Sequence, residues 1–133
     1  MMAVVSEPLR TLGSPVQVHP LTAVGVAYMY PRGYTSEPLQ LRTTSQFSEW
    51  LDTLADRRAQ ARIRVRIERL AAGNFGDAKS VGDGVSELRV DSGPGYRVYF
   101  TRRGKQVVVL LRGGDKTSQV ADIRHARQLV RDL

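Results

Sequence analysis

The chain has 133 residues, of which 41% are hydrophobic and 25% are charged. This length is typical of one domain, and the composition excludes an intrinsically disordered chain because it provides enough apolar side chains for a core. The formal net charge is +7, and all but three of the twenty cations are arginines, a bias that favours forked contacts to phosphate or carboxylate groups. The absence of cysteine excludes disulfides and thiol catalysis and is typical of the reducing cytosol. Two scattered histidines do not suffice for a metal cluster, so no metal site is expected.

Residues 1–38 differ from the rest of the chain. They carry no net charge, contain five of the six prolines and show no periodicity, so we expect a poorly ordered or edge-packing N-terminal extension. The apolar run from Leu21 to Tyr30 is shorter than the roughly 20 residues that span a membrane, and it lacks the flanks of a secretory signal. Met29 offers an alternative start of translation, which would remove residues 1–28. We therefore predict a cytoplasmic protein with one domain over residues 39–133.

The first part of this domain is predicted to be helical after one short strand. Residues 39–42 favour the strand, and the next residues provide hydroxyl groups for a helix cap, namely Thr43, Thr44 and Ser45. A first helix is predicted to about Ala55 from the spacing of Phe47, Trp50, Leu51 and Leu54. A second helix is predicted from about Arg58 to Ala72, with the apolar stripe Ile63, Ile67 and Leu70 and a stop signal at Gly73-Asn74.

The second part of the domain is predicted to be a sheet followed by a helix. Strands are expected over residues 85–90, 96–101 and 106–112, with a further short strand over 78–81. The short turns between them demand antiparallel neighbours. Gly113-Gly114 is expected to break the last strand, and Thr117 or Ser118 to cap a final helix. The predicted fold is α+β, with two N-terminal helices packed on a small antiparallel sheet and a C-terminal helix.

The alternation of two neighbouring strands sorts their side chains onto two faces. One parity is apolar and is expected to face the helices, namely Leu88, Val90, Tyr96, Val98 and Phe100. The other parity places four polar side chains together on the opposite face, namely Glu87, Arg89, Arg97 and Tyr99. This group fits a phosphodiester site, or a surface network in which Glu87 pairs with Arg89 and Tyr99 packs over a guanidinium.

Other candidates are individually weaker. The run Gly113-Gly114-Asp115-Lys116 fits an anion-binding loop or a tight turn that Asp115 caps. Lys79 is either a cation beside the arginine face or an ordinary surface charge, and His125 is expected in a structural or surface role. The second helix carries a basic ridge, which fits an RNA backbone, a solvated face or an acidic protein partner, and which consists of Arg58, Arg62, Arg66 and Arg69.

Residues 39–133 resemble a known family. The resemblance rests on the ordered segments 47–51 (FSEWL), 73–79 (GNFGDAK), 87–89 (ELR), 93–100 (GPGYRVYF) and 113–116 (GGDK), with Gln119, Asp122 and Ile123 after them. This combination is similar to the HigB-like addiction module killer branch of the RelE/ParE toxin superfamily. The resemblance implies the toxin component of a type II toxin-antitoxin system, held by a cognate helix-turn-helix antitoxin that is HigA-like.

The resemblance also implies an activity and its residues. RelE-like and HigB-like members are mRNA interferases, metal-independent and cofactor-free endoribonucleases that cleave mRNA on the ribosome, whereas ParE-like members inhibit DNA gyrase without an enzymatic reaction. For cleavage, Arg89 and Arg97 match the cationic strand positions that hold the phosphate. Tyr99 is then expected to orient the nucleophile or relay a proton, Lys79 to act as the base, and Lys116 to contact the RNA backbone or the leaving group. The basic ridge would contact ribosomal RNA. The alternatives are a gyrase inhibitor and an inactive RNA-binding relic.

Overall fold

The computed structural model describes residues 18–20 and 39–133. The strands are β1 (Val18–Pro20), β2 (Gln40–Thr44), β3 (Ala78–Gly82), β4 (Val85–Val90), β5 (Tyr96–Arg103) and β6 (Val107–Asp115). The helices are α1 (Ser45–Asp52), α2 (Arg57–Ala71) and α3 (Gln119–Arg131), and a single 3-10 turn, Lys116–Ser118, precedes α3. The α+β class is thus confirmed.

The strands form one six-stranded sheet in the order β1-β2-β6-β5-β4-β3. The prediction of an antiparallel sheet is wrong at one place, because β2 lies parallel to β6 while the other neighbours are antiparallel. The chain between β2 and β6 contains α1, α2 and three strands, and a connection of this length permits parallel pairing, which a short turn does not. β1 is the edge strand beside β2. The rest of residues 1–38 lies outside the described residues, and the division of the chain after residue 38 stays a prediction.

Helices α1 and α2 cover one face of the sheet. Their buried side chains Phe47, Leu51 and Ile63 join a core with Val98 and Phe100, as the strand alternation predicts. Thr44 caps α1, since its hydroxyl accepts a hydrogen bond from the amide of Phe47 at 3.1 Å. The helix ends at Asp52 rather than near Ala55.

The ends of α2 follow ordinary capping chemistry. The side chain of Asp56 accepts a hydrogen bond from the amide of Ala59 at 3.0 Å. At the other end, the amides of Gly73 and Asn74 donate to the carbonyl groups of Leu70 and Arg69. Gly73 has a φ of 93°, which glycine adopts without a steric penalty, so the predicted stop signal is confirmed.

Helix α3 covers the opposite face of the sheet, which the sequence interpretation left uncovered. A second core lies there and includes Val85, Tyr99, Leu111, Ala126 and Leu129. The sheet is therefore enclosed on both faces, and polar side chains of the strands β4 and β5 on this face lie under or beside α3. This arrangement sets which of the candidate site residues solvent can reach.

Gly113 and Gly114 do not break β6, contrary to the prediction. They pair with Val98 and Arg97 of β5 within the sheet. A Cβ atom on Gly113 would lie 2.1 Å from the Trp50 ring, and one on Gly114 would lie 1.9 Å from Oδ2 of Asp122. The two glycines thus admit a side chain from α1 on one face and from α3 on the other.

Candidate functional site

A buried carboxylate, Glu87, is the centre of the polar group on the α3 face. Its side chain is fully buried, and its Oε2 atom accepts hydrogen bonds from the Tyr99 hydroxyl at 3.2 Å and from the Gln119 amide at 2.8 Å. Nε of Arg97 lies 3.7 Å from the same oxygen. Two hydrogen-bond donors and one cation from β5 and α3 therefore surround one oxygen atom. The surface network predicted from the sequence paired Glu87 with Arg89, whereas in the structure Glu87 pairs with Arg97.

Cations from three strands lie around this carboxylate. Arg89 stands directly opposite Arg97 across β4 and β5, and Lys79 stands directly opposite Glu87 across β3 and β4. Arg89 and Lys79 are exposed, whereas the side chain of Arg97 keeps 11% of its surface exposed. The predicted neighbours Lys79, Arg89 and Arg97 are thus brought together at one end of the sheet. Such a group of cations can bind a phosphate.

Tyr99 belongs to the same network but is fully buried. Burial and the neighbouring Glu87 carboxylate raise the pKa of its phenol above the usual value, so the hydroxyl stays protonated and donates to Glu87. The expected contact of Tyr99 with a nucleophile needs a phenol that a substrate can reach. In this structure the phenol instead contacts Glu87.

Lys116 lies at the start of the 3-10 turn, where β6 ends. Its side chain is exposed, and it follows two residues after Gly114, which pairs with Arg97. Asp115 caps the turn by accepting hydrogen bonds from the amide and hydroxyl of Thr117, and these bonds lower the pKa of the Asp115 carboxyl. The interpretation of this segment as a turn that Asp115 caps is confirmed. Ser118 is the N-cap residue of α3, as predicted for Thr117 or Ser118, but its side chain makes no capping hydrogen bond.

Asp122 links the first turn of α3 to the sheet through an ion pair with Arg112 of β6. Its Oδ1 accepts from Nε of Arg112 at 2.7 Å, and its Oδ2 accepts from the hydroxyl of Ser118 at 2.5 Å. The contacts of Asp122 and Gln119 were not predicted from the sequence. One signal was present, because Asp122 is the one acidic residue in the first turn of the helix.

The basic ridge lies on α2 and does not behave as one unit. Arg58, Arg62 and Arg69 are exposed. Arg66 is half-buried, and its Nη1 donates to the backbone carbonyl of Arg89 at 2.8 Å. A Cβ on Gly76 would lie 2.7 Å from Nη2 of Arg66. Arg66 therefore packs α2 against β4, and the three exposed arginines remain available to a partner.

Other candidate chemistry is sparse in the part of the chain that the structure describes. His125 is exposed on the outer side of α3, beside Arg124 and Gln128, and has no described hydrogen bond or ion pair with the residues around Glu87. Among residues 18–20 and 39–133, no three His, Cys, Asp or Glu side chains are grouped to hold a metal ion. None of the described helices is long and apolar enough to cross a membrane.

Comparison with known proteins places this chain in a family. The family model of the phage-derived Gp49-like proteins (DUF891) matches residues 49–131. The chain is also 50% identical over 95 residues to an uncharacterized protein of Haemophilus influenzae, a match that covers 71% of this chain and 96% of that protein. The resemblance to the RelE/ParE superfamily is confirmed at this level. The chain belongs to the Gp49-like phage-derived family, which is a RelE/ParE-type toxin family of toxin-antitoxin systems and implies an antitoxin partner.

Proposed function

We propose that this protein is a HigB-like toxin that cleaves mRNA on the ribosome and is neutralised by a HigA-like antitoxin. The observation that carries the proposal is the grouping of Lys79, Arg89 and Arg97 on three adjacent strands, with Lys116 at the nearby strand end. Three of these four cations are exposed, and the fourth, Arg97, forms an ion pair with the buried carboxylate of Glu87. A phosphodiester is the anion that needs several converging cations when its charge grows in a reaction.

The proposed reaction is attack of a ribose 2′-OH on the adjacent phosphorus. The new bond joins the 2′ oxygen to phosphorus, the bond from phosphorus to the 5′ oxygen breaks, and the products are a cyclic phosphate and a free 5′-OH. Arg89 and Arg97 bind the phosphoryl oxygens, whose negative charge increases in the transition state. Lys79 takes the 2′ proton as the base, and Lys116 contacts the RNA backbone or the leaving oxygen, which takes up a proton from water to become the 5′-OH.

The structure changes the roles proposed for two residues, Tyr99 and Arg66. Tyr99 acts through its hydrogen bond to Glu87, because its phenol is buried. On the ridge, Arg58, Arg62 and Arg69 contact ribosomal RNA, whereas Arg66 supports them by holding α2 to β4. The proposal therefore separates residues that touch RNA from residues that hold the site.

Arg89→Ala is the sharpest test of the proposal. The side chain of Arg89 is exposed and makes no hydrogen bond or ion pair within the described residues, so its removal leaves the fold intact. We expect cleavage of ribosome-bound mRNA to fall by about a hundredfold, as for the loss of one transition-state contact, and growth arrest to be relieved. The measurement is the mapping of mRNA 5′ ends after induction of each variant.

Arg103→Ala is the matched control, because Arg103 is also an exposed arginine but lies at the opposite end of β5. We expect it to cut mRNA like the wild type. Equal cleavage by the wild type and Arg89→Ala would reject the assignment of the site. A response to DNA damage without new mRNA ends would reject RNA cleavage altogether and support the ParE-like inhibition of gyrase.

A further inference from the structure

The buried carboxylate of Glu87 has no place in the proposed reaction, yet it contacts one of the proposed phosphate ligands. We infer that Glu87 is a positioning residue that holds the guanidinium of Arg97 toward a bound phosphate, and that Tyr99 and Gln119 hold Glu87 in turn. This inference rests on the proposed function. It concerns how the site is kept ready for the reaction rather than which groups touch the RNA.

The burial pattern of Arg97 supports this role. Its Nε atom is buried, lies 3.7 Å from Oε2 of Glu87 and has no hydrogen-bond partner within the described residues. The Nη atoms are not among the buried atoms without a partner, and they form no hydrogen bond with the described residues, so they keep contact with solvent. One edge of the guanidinium therefore faces Glu87, and the other edge is available to an anion.

The hydrogen bonds of Glu87 show that its orientation is fixed from one side. Oε2 accepts hydrogen bonds from Tyr99 and Gln119, whereas Oε1 is buried and has no hydrogen-bond partner in the described part of the chain. Both of these donors are neutral, so neither cancels the charge of the carboxylate. A fully buried carboxylate is costly unless a cation compensates it, and Arg97 is the cation that forms an ion pair with Glu87. Gln119 is the first residue of α3, so the position of this helix on the sheet also affects the position of Arg97 through Glu87.

This arrangement has two opposite effects on a bound RNA. A guanidinium that is already fixed needs no reorganisation when charge grows on the phosphoryl oxygens, which favours the reaction. A carboxylate near the phosphate repels it, which disfavours binding. Replacing the charge of Glu87 while keeping its shape should therefore lower the rate of cleavage without weakening RNA binding. A residue that only stabilises the fold would not separate these two quantities.

The test is Glu87→Gln in single-turnover cleavage of ribosome-bound mRNA, measured against ribosome concentration. The amide oxygen of this variant can still accept from Tyr99 and Gln119. We expect the maximal rate to fall by about tenfold or more, as for a displaced reactive group, while the half-saturating ribosome concentration stays the same or decreases. Gln119→Leu and Tyr99→Phe each remove one neutral donor, and each should lower the maximal rate by a smaller factor than Glu87→Gln does. If Glu87→Gln does not fold, these two variants serve as the test.

Thr101→Val is the matched control. Thr101 is buried on the same strand as Arg97, and its hydroxyl donates to the carbonyl of Gly84 at 2.7 Å, away from Glu87. It should lose stability but keep its cleavage rate. Wild-type cleavage with an unchanged rate in folded Glu87→Gln would overturn the inference, and so would an equal loss of rate in Thr101→Val. Absence of cleavage by the wild type would instead reject the proposed function, and the inference with it.

Discussion

The phenol of Tyr99 shows how one buried side chain links the site to stability. Burial and the Glu87 carboxylate raise the pKa of the Tyr99 phenol. In the unfolded chain, a tyrosine ionises near its usual pKa of about 10. Above that pH the unfolded chain has lost a proton that the folded protein keeps, so the free energy of unfolding decreases as pH rises. The contribution of Tyr99 is complete below about pH 10 and is lost progressively above it.

We therefore expect Tyr99→Phe to change the pH dependence of unfolding. At pH 8 the variant should be about 1 kcal/mol less stable, because the hydrogen bond to Glu87 is lost. Between about pH 10 and pH 11.5 its stability should decrease less steeply than that of the wild type, since phenylalanine does not ionise. Urea unfolding at a series of pH values measures both quantities. Parallel pH profiles for the two proteins would contradict the assignment of the raised pKa to Tyr99.

The elements of the fold were predictable where a local signal decides them. The bounds of β4, the cap at Thr44 and the stop at Gly73 follow from alternation and capping chemistry, which depend on a few neighbouring residues. The neighbours Glu87, Tyr99, Arg89 and Arg97 were predictable for the same reason, because short turns fix the register of β4 and β5.

The contacts between distant elements were not predictable in this way. Alternation does not say whether the second face of a sheet is open to solvent, and the burial of Glu87 under α3 depends on that. The continuous apolar run of residues 107–111 is typical of a strand covered on both faces, so it was the signal that was missed. Gly113 and Gly114 resemble a strand break in sequence, but their role depends on Trp50 and Asp122, which approach from other elements.

The seating of α3 on the sheet can be tested at Gly114. In Gly114→Ala the new Cβ would lie 1.9 Å from Oδ2 of Asp122, so Asp122 must move away from Arg112 and Ser118. We expect a loss of about 2 to 4 kcal/mol in the free energy of unfolding, from overpacking and from the loss of an ion pair between the buried Asp122 and the partly exposed Arg112. Chemical denaturation measures it.

A double-mutant cycle with Asp122→Ala gives the control for this experiment. Once the carboxylate is absent, the space that the new methyl group needs is free, so Gly114→Ala should cost much less in the Asp122→Ala background. Additive losses would show that the cost at Gly114 has another origin, such as a change in the backbone of β6. The cycle therefore isolates the contact between α3 and the sheet from the intrinsic effect of alanine.

Two groups of the exposed cations form separate surfaces on a molecule whose net charge is +7. One surface is the end of the sheet around Arg89 and Lys79, and the other is the exposed part of the α2 ridge. The hydrogen bond from Arg66 to the carbonyl of Arg89 joins the two surfaces. If the proposed function is right, the ridge binds RNA phosphates beside the site, and this binding should depend on salt because it releases counterions.

Replacing Arg58, Arg62 and Arg69 together by glutamine tests this dependence, while Arg66 stays because it packs α2 against β4. We expect the slope of the logarithm of the ribosome-binding constant against the logarithm of salt concentration to become shallower by about two to three, close to one phosphate for each arginine. The matched control replaces Arg103, Lys105 and Arg124, three exposed cations elsewhere, and changes the net charge by the same amount. Ribosome pelleting over a series of salt concentrations measures both slopes. An equal change in the two triple variants would mean that net charge alone governs binding, whereas a change confined to the ridge variant would place the phosphates on α2.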